Sequence, residues 1–111
     1  MPFSGKDLNA LVRFKPVGGM IDQAGGIAIR MTSPDDYYVA GANALEDNVR
    51  FYRVVRGRRD QLHGADLKVA SDQWHTLALQ AKVNRFTVSF DGKTLFTAED
   101  NTFAGPGKIA L

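Results

Sequence analysis

Hydrophobic and polar residues alternate along most of this chain. Ala10, Val12 and Phe14 share one parity, with Leu11, Arg13 and Lys15 on the other. Ile27, Ile29 and Met31 alternate with Ala28 and Arg30, and His75, Leu77, Leu79 and Ala81 alternate with Trp74, Thr76, Ala78 and Gln80. Phe86, Val88 and Phe90 alternate with Arg85, Thr87, Ser89 and Asp91. Successive side chains of a strand point to opposite sides, so each run predicts a strand with one face on a core. No stretch of helical length carries the i, i+3, i+4, i+7 apolar stripe that an amphipathic helix needs.

Turn residues punctuate these runs. Arg56-Gly57-Arg58 and Asp91-Gly92-Lys93 predict hairpin turns, the latter being the strongest local signal. Ser33-Pro34-Asp35-Asp36 predicts a turn with proline fixing φ and aspartates bonding nearby amides. Val17-Gly18-Gly19 and Gly25-Gly26 are expected to flank a loop, and Gly105-Pro106-Gly107 to precede a last strand over 108–111. Roughly nine or ten short strands result, the density of an antiparallel sandwich or barrel. Residues 48–55, NVRFYRVV, fit alternation poorly, because Val54 and Val55 are both apolar. A bulge there, or cover on both faces, is the expectation.

Length and composition then narrow the picture. The 111 residues suffice for one domain, spanning 1–111, and 44% hydrophobic against 23% charged residues is ordinary for a globular protein. With no cysteine, disulfides, thiolate metal sites and thiol nucleophiles are excluded. Fourteen basic against twelve acidic side chains leave a net charge of +2, too little to mark a nucleic-acid partner. No apolar run approaches the ~20 residues of a spanning helix, so no membrane partner is expected. Residues 1–7, MPFSGKD, contain no signal-peptide core. The location is open, and an extracytoplasmic one is expected where a signal segment has been removed.

From Gly25 onward the chain resembles a bacterial family of concanavalin A-like, laminin-G-like domains related to the 3-keto-disaccharide hydrolase-like family. The resemblance is carried by GIAIR (26–30), YYV (37–39), ANALEDNV (42–49), WHTL (74–77), DGK (91–93) and GKIAL (107–111). It implies an all-β, antiparallel two-sheet sandwich of jelly-roll type. Members of that family carry strands before the first one here, continue past the position of Leu111, and tend to have an arginine where this chain has Gly41. A sandwich short at both ends leaves unpaired edges, so a homodimer by edge pairing or strand exchange is expected.

Candidate chemistry is sparse. Glycosidases of this fold set two carboxylates on one strand, one to protonate the leaving oxygen and one to attack or to activate water. Only Glu46 and Glu99 are glutamates, and neither lies in such an array. No Gly-x-Ser-x-Gly elbow appears, and His75 and His63 read as a core and a strand-end histidine. The resemblance admits calcium at Asp35 and Asp36 or at Glu46, Asp47 and Asn48, but Asp and Asn in turns mostly bond their own backbone, so no cofactor or metal is assigned. Arg50, Arg53, Arg56, Arg58 and Arg59 crowd one hairpin. Such a cluster could track phosphates or an acidic glycan, but on a hairpin solvated charge that blocks edge aggregation is the expectation.

Sugar sites pair an aromatic platform with planar polar groups. Tyr37, Tyr38, Tyr52 and Trp74 are the possible platforms. Trp74 is assigned to the core, whereas Tyr38, sharing parity with the small Ala40 and Ala42, is expected to lie open. Arg30, opposite in parity to Ile27 and Ile29, is expected to face outward. The reading is a non-catalytic module that binds a carbohydrate or protein partner on one sheet face through Arg30, Tyr38, Asn43, Arg50 and Tyr52. The alternatives are a hydrolase of a sugar derivative, or a piece of one, and a structural or oligomerising module.

Overall fold

Alternation governs the architecture as the sequence anticipates. The computed structural model describes residues 4–5, 8–16, 24–103 and 107–110, and among them it contains strands, turns and short irregular connections but no helix. In chain order the strands are β1 (Ser4–Gly5), β2 (Leu8–Phe14), β3 (Ala24–Ser33), β4 (Asp36–Asn43) and β5 (Asn48–Val55). They continue with β6 (Arg58–Asp66), β7 (His75–Lys82), β8 (Arg85–Phe90), β9 (Lys93–Glu99) and β10 (Gly107–Ala110). One sheet has the order β1-β10-β3-β4-β5-β6 and the other β2-β7-β8-β9, with every pairing antiparallel. The fold is an all-β two-sheet sandwich.

The inner faces carry the apolar parity. Ile27, Ile29, Ala40, Ala42, Val49 and Phe51 meet Leu77, Leu79, Ala81, Phe86, Val88, Phe90 and Phe96 across the layer. Each fully buried large aliphatic or aromatic side chain contributes about 1.5–3 kcal/mol. Two hairpins hold the register. Arg56 and Gly57 have φ of 52° and 77°, and Asp91 and Gly92 have 50° and 82°. Both central residues at positive φ make the turn whose twist matches the flanking strands, and glycine occupies this region without a Cβ penalty.

Two expectations change and a third is met in detail. Gly25 and Gly26 lie within β3, near its start at Ala24, while residues 17–23 and 104–106 fall outside the described residues. His63 is not at a strand end, because β6 runs on to Asp66 and the His63 ring stacks on Phe96 at 4.3 Å. The misfit at 48–55 resolves on the neighbouring strand. β5 pairs β4 without interruption, whereas its register against β6 shifts between Phe51 and Tyr52, so that Leu62 is the extra residue. Val54 is buried although it lies on the outer face, which accounts for two consecutive valines.

Candidate functional site

The five candidate residues divide into two groups. Tyr38 lies on the inner face of β4 with Ala40 and Ala42, and all three are buried. The two alanines do not open Tyr38 to solvent; they leave room for aromatic rings, and Tyr38 packs on Phe51, Phe86 and Phe103 at centroid distances of 5.6, 4.5 and 5.2 Å. Arg30 is 0% exposed. Its φ of 51° and the register shift between Ile29 and Ser33 break the alternation of β3 and turn its side chain inward. The guanidinium lies 4.9 Å over the Phe86 ring and Nη1 donates to the Phe103 carbonyl at 2.9 Å. The expectation of an outward Arg30 and an open Tyr38 is therefore corrected.

These two residues belong to a latch that fastens residues 100–103 over one end of the core. The Tyr38 hydroxyl donates to Asp100 Oδ1 at 2.6 Å and accepts the Phe103 N–H at 3.2 Å. Arg53 Nη1 donates to Asp100 Oδ2 at 2.9 Å, and its Nη2 to Asp60 at 3.2 Å. The Thr102 N–H donates to Asp100 Oδ1 at 2.8 Å. Burial, reinforced by the bond to Asp100, pushes the Tyr38 hydroxyl up to about 12. Burial also works to raise Asp100, but the bonds from Thr102 and Tyr38 and the Arg53 charge outweigh it and hold the carboxyl below its ordinary value.

Asn43, Arg50 and Tyr52 come together elsewhere. They line a concavity of about 570 Å³ on the outer face of β4, β5 and β6, with Gly41, Glu46, Asn48, Arg59 and Gln61. The pairings Val39↔Tyr52, Gly41↔Arg50 and Tyr52↔Gln61 put these residues on one face. Arg50 Nη1 donates to Gln61 Oε1 at 2.6 Å, while its buried Nε has no hydrogen-bond partner among the described residues. Arg59 lies 4.5 Å over the Tyr52 ring. Asn43 is half committed, because its Oδ1 accepts the N–H groups of Leu45 and Glu46 at 2.8 and 3.1 Å. Glu46 accepts from Asn48 Nδ2 at 3.2 Å.

Two glycines shape this surface by what they lack. A Cβ on Gly41 would meet only the Gly25 carbonyl oxygen, at 3.8 Å, so the bare backbone leaves depth at this point of the face. A Cβ on Gly64, which faces Arg50, would stand 3.0 Å from Gln61 Nε2 and 3.3 Å from Arg50 Cγ.

Sequence reasoning missed Arg59 and Gln61 as members of this face. The signal was present in the Arg56-Gly57 turn. A two-residue hairpin fixes Val55 opposite Arg58, and counting back places Arg59 opposite Val54 and Gln61 opposite Tyr52. Trp74 is likewise corrected. It is 61% exposed, with the Arg13 guanidinium 5.2 Å from its ring, because it precedes β7 on the outward parity.

The acidic turns are engaged by the chain itself. Asp36 accepts from the Arg56 N–H and the Ser33 hydroxyl, and Asp47 accepts the Val69 N–H and pairs with Lys68. Among the described residues no group of three or more His, Asp or Glu side chains is placed to hold a metal ion.

His75 is buried and both ring nitrogens are engaged. Nδ1 lies 2.7 Å from Asp91 Oδ2 and Nε2 2.7 Å from the Ala70 carbonyl oxygen. Both neighbours accept, so the doubly protonated ring fits best. Burial works against that charge, but the Asp91 bond and the Ala70 carbonyl outweigh it and leave the His75 pKa above its ordinary value.

A scan of protein-family models gave no match, and neither did a search of curated proteins. Solved structures do match. The carbohydrate-binding module CBM66 of Bacillus subtilis superposes with a TM-score of 0.88 at 21% identity, over 96% of this chain and 66% of that one. The galectin LEC-6 of Caenorhabditis elegans gives 0.70 at 18%, over 98% and 78%. A prokaryotic β-1,3-1,4-glucanase (lichenase) from a mouse hindgut metagenome gives 0.68 at 22%, over 98% and 52%. This chain thus spans about two thirds of the CBM66 length and half that of the glucanase. The fold is the concanavalin A-like jelly-roll sandwich of lectins and glucanases.

Proposed function

We propose that this domain binds a carbohydrate without altering it, and does so in the concavity on the outer face of β4, β5 and β6. The observation that carries the reading is the convergence there of the Tyr52 ring with Arg50, Arg59, Asn43 and Gln61. Sugar C–H faces pack on aromatic rings and sugar hydroxyls take directional partners, and this face supplies both kinds of group. The fold it shares with a carbohydrate-binding module and a galectin supports the same reading. Among the lining residues Glu46 is the one carboxylate, and it already accepts from Asn48, whereas hydrolysis by paired carboxylates needs two.

Screening on a glycan array followed by titration calorimetry tests this. Tyr52→Ala and Gln61→Ala are each expected to weaken the best glycan at least tenfold, and Thr87→Ala on the opposite sheet to leave it unchanged. Equal losses from Thr87→Ala, or full affinity in Tyr52→Ala, would refute the placement.

A further inference from the structure

Resting on the carbohydrate reading of the same concavity, the geometry points to an acidic sugar, one bearing a carboxylate, as its ligand class. Of the five arginines in the β5–β6 hairpin, three are spoken for or remote. Arg53 pairs with Asp60 and Asp100 on the inner side, Arg58 approaches Asp60 at 3.9 Å, and Arg56 stands exposed at the turn. The remaining two, Arg50 and Arg59, line the concavity and form no ion pair with any described carboxylate.

Both guanidiniums are held in place by neutral partners. Arg59 is laid over the Tyr52 ring, and Arg50 is bonded to the Gln61 amide with Gly64 leaving room beside it. Arg50 Nε, buried and without a hydrogen-bond partner among the described residues, shows further that this guanidinium's donors are only partly used within the chain. A carboxylate meets a guanidinium with two parallel hydrogen bonds, and the bond is stronger than one to a neutral hydroxyl. Two fixed positive charges in one concavity, one of them stacked on the Tyr52 ring, therefore suit a uronic acid with its carboxylate at the arginines. Glu46 on the rim adds one opposing charge and leaves an excess of one positive charge in the concavity.

The test uses pairs of polymers that differ in charge alone. Polygalacturonate, alginate and hyaluronate are titrated into the intact protein beside their methyl-esterified forms, with a panel of neutral glycans and double-stranded DNA in parallel. At least one uronate polymer is expected to bind, to lose tenfold or more on esterification, and to weaken as salt rises. Arg50→Gln and Arg59→Gln, folded by circular dichroism, are expected to abolish the preference for the free acid. Arg58→Gln, outside the concavity, is expected to retain it. A neutral glycan bound through Tyr52 with undiminished affinity in both glutamine variants, and no uronate bound, overturns the acidic assignment and leaves the carbohydrate reading standing. Binding of no glycan at all removes both. DNA bound as tightly as the uronate, with Arg58→Gln as damaging as Arg59→Gln, reduces the effect to diffuse charge and also overturns it.

Discussion

Single residues in this protein are read correctly only when their face is known. Tyr38 and Arg30 are chemically suited to hold a sugar, yet both are interior and fasten residues 100–103. Tyr38→Phe leaves one Asp100 contact and the Phe103 N–H without their partner. It is expected to cost about 1–3 kcal/mol in urea unfolding while glycan affinity stays unchanged. Gly41 works the other way. Gly41→Val has space for its Cβ and suits a strand, so Tm is expected not to fall, but the added bulk fills the floor of the concavity. Calorimetry is expected to show at least a tenfold loss of binding. Arg30 shows why its role was hidden in the sequence. IAIRM alternates correctly as letters, and only the irregular register against β4 reverses the parity after Ile29. Asn43, Arg50 and Tyr52 were legible as a group because no such irregularity intervenes between β4 and β5.

At the scale of elements, the strands and hairpins followed from periodicity and turn chemistry, since each depends on residues near one another in the chain. What depends on partners far away did not, including the extra Leu62 that reconciles β5 with β6 and the exposure of Trp74. The junction of β7 with the β8–β9 hairpin gives a pH signature. His75 and Asp91 are 2.7 Å apart, and Asp91 also accepts the Thr76 N–H at 2.8 Å. The folded pKa of His75 lies above its ordinary 6.5, so its contribution is complete below pH 6.5 and fades as pH rises through the folded value. For Asp91, burial works to raise the pKa, but the bonds from His75 and Thr76 hold it below 3.8. Its contribution is present above pH 3.8 and is lost as pH falls through the folded value. Urea midpoints are expected to be highest between these limits, and His75→Gln to flatten the alkaline side of the profile. The β7–β8 turn offers a gain. Val83 has a φ of 56°, a region that a β-branched residue enters at a cost of about 1–2 kcal/mol and that asparagine tolerates better. Val83→Asn is expected to raise stability by about 1 kcal/mol by chemical denaturation.

For the whole molecule, the two-layer architecture was legible because the apolar parity fills one enclosed layer and nothing in the sequence offers a helix to cover a sheet. The assembly is a separate matter. The long free edge of the six-stranded sheet is β6, with nine residues and no strand on its outer side among those described. We propose that a homodimer forms by edge pairing. Light scattering at high concentration is expected to give twice the chain mass of 12.2 kDa, and a strictly monomeric mass removes the dimer.

The sheet order has a practical corollary. Ser4 sits opposite Lys108, at the far side of the six-stranded sheet from β6, so both ends of the described chain leave the molecule from the rim farthest from the concavity. Tethering the protein at either end, to a bead, a sensor chip or a neighbouring domain, is expected to leave the proposed binding face turned outward. A pair of such attachments would present two copies side by side without either blocking the other.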